Sequence, residues 1–142
     1  MSLLPFLPKN FLFHPPLVHF PIALWLTSAL FDVLYLRRGE RFHFRAAQIL
    51  IGLGLLGAAL AIGLGWVDYL AQVKQDVGQA FINKHNTHQV FAYVSTAAYA
   101  ASFLIRWRKP DVRRAWIAIL MIIGTILIAA TGYFGGDIRL VM

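Results

Sequence analysis

Residues 46–69 read AAQILIGLGLLGAALAIGLGWVDY, and this stretch decides the fold. It carries no charged side chain until Asp68. A helix needs about 20 apolar residues to cross a bilayer, so this run is long enough to span one. Small residues recur every fourth position along it. Gly57, Ala61 and Gly65 fall on one face, and Ala59 and Gly63 form a second row. Such small-xxx-small rows let a neighbouring backbone approach closely. Trp66 and Tyr69 sit where an interfacial aromatic belt is expected.

Three more runs of similar character flank it, at about 17–36, 86–107 and 115–134. The expected architecture is therefore all-α: an integral membrane antiparallel four-helix bundle, one domain over residues 1–142. Composition agrees. The chain is 59% hydrophobic and 13% charged, whereas soluble domains carry about 25% charged residues. The net charge of +7 would suggest nucleic acid in a soluble protein. Here nine of the thirteen Lys and Arg residues sit in two short segments, 37–45 and 106–114. The basic charge is therefore a topology signal and no nucleic-acid partner is expected. Both segments are expected on the cytoplasmic side of a bacterial inner membrane, with both termini periplasmic. Residues 1–13 lack a basic n-region and no small-residue cleavage site follows, so the first run is expected to be its own insertion signal. Those thirteen residues are too short to span and are expected at the interface.

The chain has no cysteine. That excludes disulfides, thiolate metal sites and haem attached through Cys-x-x-Cys-His. Nor is there a Gly-rich phosphate loop, a nucleophile elbow or a His-Glu-x-x-His motif. No inverted repeat is apparent, which argues against transport.

The chemistry-bearing residues lie at the ends of the runs. His14-Pro15-Pro16-Leu17-Val18-His19-Phe20-Pro21 opens the first one. Pro15 and Pro16 suit a helix start, while Pro21 frees the carbonyl of Leu17 and bends the helix. Asp32, near the far end, calls for a basic partner: Arg37, Arg38 or a residue of the second basic segment. Alternating spans bring His14, His19, Asp68, His85, His88, the Gly135-Gly136 pair and Asp137 to one face of the membrane. His43 is left among arginines in a cytoplasmic loop, where it is expected to be solvated.

Three readings of this cluster stand side by side. The side chains satisfy one another by hydrogen bonds and cap helix ends. Or His19 and His88, at similar depth on diagonal spans, ligate a b-type haem. His14, Asp68 and His85 then orient the ligands or tune the haem, and Phe20, Trp25, Phe91 and Tyr93 line the slot. Or His85-x-x-His88, joined by His14, His19 or Asp68, holds a zinc-like ion. The haem reading implies an electron-transfer subunit, working between a membrane quinol or complex and a periplasmic cytochrome. Its rival is a structural subunit of a larger respiratory or photosynthetic membrane complex, surrounded by lipids and other subunits.

The stretch His14 to Leu24 resembles the opening signature His-Pro-x-x-Val-His-Phe-Pro of a bacterial family of small four-span membrane proteins of unknown function. Asp32, Gly65-Trp66-Val67-Asp68-Tyr69, His85 with His88, and Gly135-Gly136 resemble its later features in order. The resemblance implies the four-span architecture. It also implies association with cytochrome c-like or Rieske-like partners, which favours redox chemistry. It departs after Gly136, where members continue into Leu-Val-Tyr and a His-Gly segment. This chain has Asp137-Ile138-Arg139-Leu140-Val141-Met142, so a ligand drawn from that later histidine has no counterpart here.

Overall fold

Each apolar run continues as helix well past the point where hydropathy falls. The computed structural model describes residues 14–74 and 77–138 and contains four helices: α1 His14–Arg38, α2 Arg41–Val73, α3 Gln79–Arg108 and α4 Arg114–Ile138. The expected spans are shorter, because polar residues just outside the membrane still make helical hydrogen bonds. α2 takes in most of the first basic segment. α3 starts six residues ahead of His85, and α4 runs through Gly135-Gly136 to Ile138. The N-terminal segment expected at the interface and the last four residues of the C-terminal tail lie outside the described residues.

Gly39 makes the sharp turn between α1 and α2. Its φ of 75° is left-handed, and its N–H donates to the Tyr35 carbonyl at 2.8 Å. A glycine in this conformation closes a helix end without the Cβ clash any other residue would meet. Arg41 then donates to the Pro110 carbonyl at 2.6 Å and pairs with Asp111 at 3.0 Å, tying the two inter-helix turns together.

The helices pack as two hairpins, α1 with α2 and α3 with α4, the contacts within each hairpin being denser than those between them. α1 and α3 lie on one diagonal, as expected for an up-down-up-down bundle. Only side chains bridge that diagonal. At mid-depth Trp25 stacks on Tyr99, centroids 4.1 Å apart and planes within 10°. Ile51, Ala58 and Ile128 complete this core. Trp25 also donates its indole N–H to the Ile51 carbonyl at 3.3 Å.

At the end holding the arginines, Arg106 grips Asp32 through two parallel 2.7 Å bonds. The two side chains are 1% and 2% exposed. Ser102 accepts from Arg106 Nε at 3.2 Å, and the guanidinium lies 5.5 Å from the centre of the Phe44 ring. Asp32 thus has its basic partner in the later segment. Arg106 belongs to α3, not to a loop. His43 also departs from expectation. It is buried on α2, 6.1 Å from Phe31 and 5.5 Å from Phe42 between ring centres, rather than solvated. The helix starts at Arg41, and two residues later its inward face is already under cover.

Outward faces are apolar. Leu56, Leu60, Ile122 and Ile126 are exposed. Trp66 and Tyr133 mark one end of the bundle, Trp107 and Trp116 the other. α1 from Pro16, α2 and α4 are each long and apolar enough to cross a membrane. α3 is 30 residues long but more polar. Its inward face carries Ser95, Ser102 and Arg106, all buried.

Candidate functional site

The start of α1, the end of α2, the start of α3 and the end of α4 meet at the bundle end opposite the arginines. A cavity of about 360 Å³ opens there. His14, His19, Asp68, His85 and His88 all line it, and Trp25 is among the residues at its floor. The convergence read from the alternation of spans is therefore present in three dimensions.

The individual side chains differ in what they do. Asp68 is buried and accepts the backbone N–H of His14 at 2.8 Å. A carboxylate there satisfies an orphan donor and meets the positive end of the helix dipole. His14 Nδ1 lies 2.7 Å from the Ala61 carbonyl. His88 Nδ1 lies 3.0 Å from the Thr131 carbonyl. A carbonyl oxygen only accepts, so in both rings Nδ1 carries the hydrogen and a neutral ring keeps its lone pair on Nε2. Neither Nε2 makes a hydrogen bond to the described residues. The two rings are 5.9 Å apart between centroids, with planes at 77°.

Two glycines allow these positions. A Cβ on Gly65 would lie 2.9 Å from His14 Nδ1, and one on Gly135 would lie 3.0 Å from His88 Cε1. Each imidazole rests its Nδ1–Cε1 edge on a helix backbone that only glycine leaves bare. Thr131 is held in turn: its hydroxyl donates to the Leu127 carbonyl and lies 2.8 Å from Ser95 Oγ.

His85 stacks on Tyr69 at 4.3 Å and on Phe81 at 5.9 Å. It lies just ahead of the 86–107 run. Burial first, then the neighbouring His88 and His14, pushes its pKa down to about 4, so it is neutral. His19 sits on the exposed flank of α1 and reaches the cavity at its rim. The ring that faces His88 is therefore His14. Lys84 pairs with Asp137 at 2.9 Å, closing α3 against α4 beside the site. Of the aromatics expected to line the slot, only Trp25 does. Phe20 and Tyr93 are exposed and Phe91 stacks on Phe134, while Tyr69 and Phe81 take their place. Among the described residues no three His, Asp or Glu side chains gather as a metal-ligand set; what converges is a pair.

Two features escaped the sequence reading: the anchoring carbonyls of Ala61 and Thr131, and the choice of His14 over His19 as the ring opposite His88. A signal for the second was present. His14, Pro21, Trp25, Ser28 and Asp32 share one heptad-like stripe, whereas five residues of helix rotate His19 about 140° away from His14.

A chain with three helices of membrane-crossing length, apolar outer faces and a polar inner stripe is a multi-pass membrane protein. It belongs to the family described as "Predicted membrane protein (DUF2231)", whose model matches residues 11–142. No curated protein and no solved structure matches the chain.

Proposed function

We propose that this protein is a four-span electron carrier of the bacterial inner membrane, holding one b-type haem in the histidine-lined cavity. α3 is the fourth span. The arginine end faces the cytoplasm, where basic segments are retained, and the cavity faces the periplasm. The observation that carries the reading is the cavity itself. Histidines from both diagonal helices line it, and α2 and α4 present Ala61, Gly65 and Gly135 between them. Its volume falls in the range of about 300–1,000 Å³ typical of ligand sites.

The residues present fit the group. Ligating histidines characteristically donate their other ring N–H to a carbonyl or carboxylate, which fixes tautomer and orientation. His88 is in that state and supplies one ligand; a histidine of α1 supplies the other. Bound haem supplies one-electron chemistry, its potential set by axial ligands and burial. The chain's own part is to hold the imidazoles, keep Asp68 as the acceptor at the α1 terminus, and seal the cavity floor with the Trp25–Tyr99 stack. Electrons pass between a membrane quinol or complex and a periplasmic cytochrome-like carrier. The test is an optical spectrum and iron analysis of the purified protein. A reduced-minus-oxidised b-type band is expected; its absence, with no iron, overturns the proposal.

A second reading, a structural subunit of a larger membrane complex, draws on the outer row of small residues. A Cβ on Gly63 would touch nothing within 4 Å, and Ala59 is exposed beside it, so this row packs against no helix of the described chain. On that reading Gly63→Leu abolishes co-purification of partner subunits, whereas His88→Ala leaves it unchanged.

A further inference from the structure

The two hairpins make the same contacts at the same places. Along α1 and α3, residues that meet across the bundle are 74 positions apart every time: 14 and 88, 25 and 99, 32 and 106. Ser28 and Ser102, both buried, keep that offset. Along α2 and α4 the offset is 70. The carbonyls of residues 61 and 131 accept from the two imidazoles. Gly65 and Gly135 lie against His14 and His88, while Gly54 and Gly124 lie against Trp25 and Tyr99. One constant offset per helix pair, held over five helical turns, is the geometry of a repeated hairpin related by a two-fold axis along the bundle. A residue that touches its own equivalent lies at that axis.

This matching singles out one pair of imidazoles. The equivalent of His19 is Tyr93, whereas His14 and His88 are each other's equivalents. Both hold Nδ1–H on a carbonyl, which leaves Nε2 of each ring for a ligand bond. A metal–imidazole bond is about 2 Å long, so two rings bound on opposite sides of one ion hold their centroids about 6 Å apart. The observed separation is 5.9 Å. We infer that His14 and His88, through Nε2, are the two axial ligands of a site on the pseudo-two-fold axis, with near-perpendicular ring planes. His19 and His85 are not ligands. The inference rests on the haem reading and names its ligand pair.

The ring planes give a signature that a merely structural histidine would not. Perpendicular axial imidazoles leave the two π-type iron d orbitals nearly equal in energy. Oxidised low-spin haem then gives a strongly anisotropic electron paramagnetic resonance spectrum with one prominent low-field feature. Parallel planes give a three-line rhombic spectrum instead. The experiment uses the full-length protein purified in detergent with its native haem content. The expected results are the anisotropic spectrum, loss of the low-spin b-type signal in both His14→Gly and His88→Gly, and its return with added imidazole. His19→Ala and His85→Ala retain it. Should His14→Gly fail to accumulate, His14→Met keeps a ligating side chain and shifts the absorption band; an unmoved band overturns the assignment. If haem is bound but His19→Ala abolishes the signal while His14→Gly keeps it, the ligand pair is wrong and the electron-carrier proposal stands. A rhombic spectrum likewise overturns the perpendicular arrangement. If no haem is present in the wild-type protein, both fail.

Discussion

Asp32 and Arg106 occupy equivalent positions in the two hairpins, so exchanging them should rebuild the ion pair in mirror fashion. The pair is buried and bidentate at 2.7 Å. Removing one partner of such a pair costs about 3–5 kcal/mol, because the other charge is left uncompensated. Asp32→Arg alone, or Arg106→Asp alone, is expected to lose at least that. In the double variant an arginine at 32 has Ser28 four residues before it, as Arg106 now has Ser102. The contact with the Phe44 ring, 5.5 Å from the present guanidinium and worth about 0.5–2 kcal/mol, is lost, and the position 70 residues on from Phe44 is Arg114, a second cation. The double variant should therefore be more stable than either single variant and less stable than wild type. Reversible unfolding in mixed micelles, followed by tryptophan fluorescence, measures the cycle. A double variant no more stable than either single one would refute the equivalence of the two positions and with it the two-fold arrangement.

Three other outcomes follow from single contacts. Trp25→Ala removes the cavity floor and half of the central stack, and should cost about 3–5 kcal/mol by the same unfolding measurement. Asp68→Ala leaves the His14 N–H without its acceptor and should cost about 0.5–2 kcal/mol, whereas Asp68→Asn, which keeps an acceptor, should lose clearly less; a nuclear magnetic resonance shift of the His14 amide reports the broken bond. Gly39→Ala forces a Cβ into a left-handed turn and against the Arg114 guanidinium, and should lose about 1 kcal/mol or more, read as a lowered melting temperature.

Charge punctuation and run length made the helices legible. Their ends were not, because hydropathy records where the membrane stops, while backbone hydrogen bonding carries α2 back to Arg41 and α3 back to Gln79. The cavity was legible because alternation of spans alone decides which ends share a face. Which imidazole looks inward depends on helix rotation, and there similarity of depth misled: it is His14 that meets His88, while His19 lies five residues further along α1 and about 140° round it. His43 was misjudged for a related reason, since the arginines around it point outward while it does not. The hairpin repeat was hidden by divergence. At the matched positions Trp25 faces Tyr99 and Asp32 faces Arg106, so shared geometry outlives shared residue type.

The placement of that ion pair also bears on how the protein is made. Asp32 enters the membrane with the first hairpin, and its partner is 74 residues further along the chain. At about 5–20 residues per second, synthesis takes about 4–15 s to reach it. Through that interval the first hairpin carries a carboxyl group that its finished structure pairs with a residue not yet made. Two copies of that hairpin meeting in the membrane would set aspartate against aspartate at the position where the complete chain sets aspartate against arginine. The charge pattern therefore discourages premature pairing between nascent chains and rewards waiting for the second hairpin of the same one.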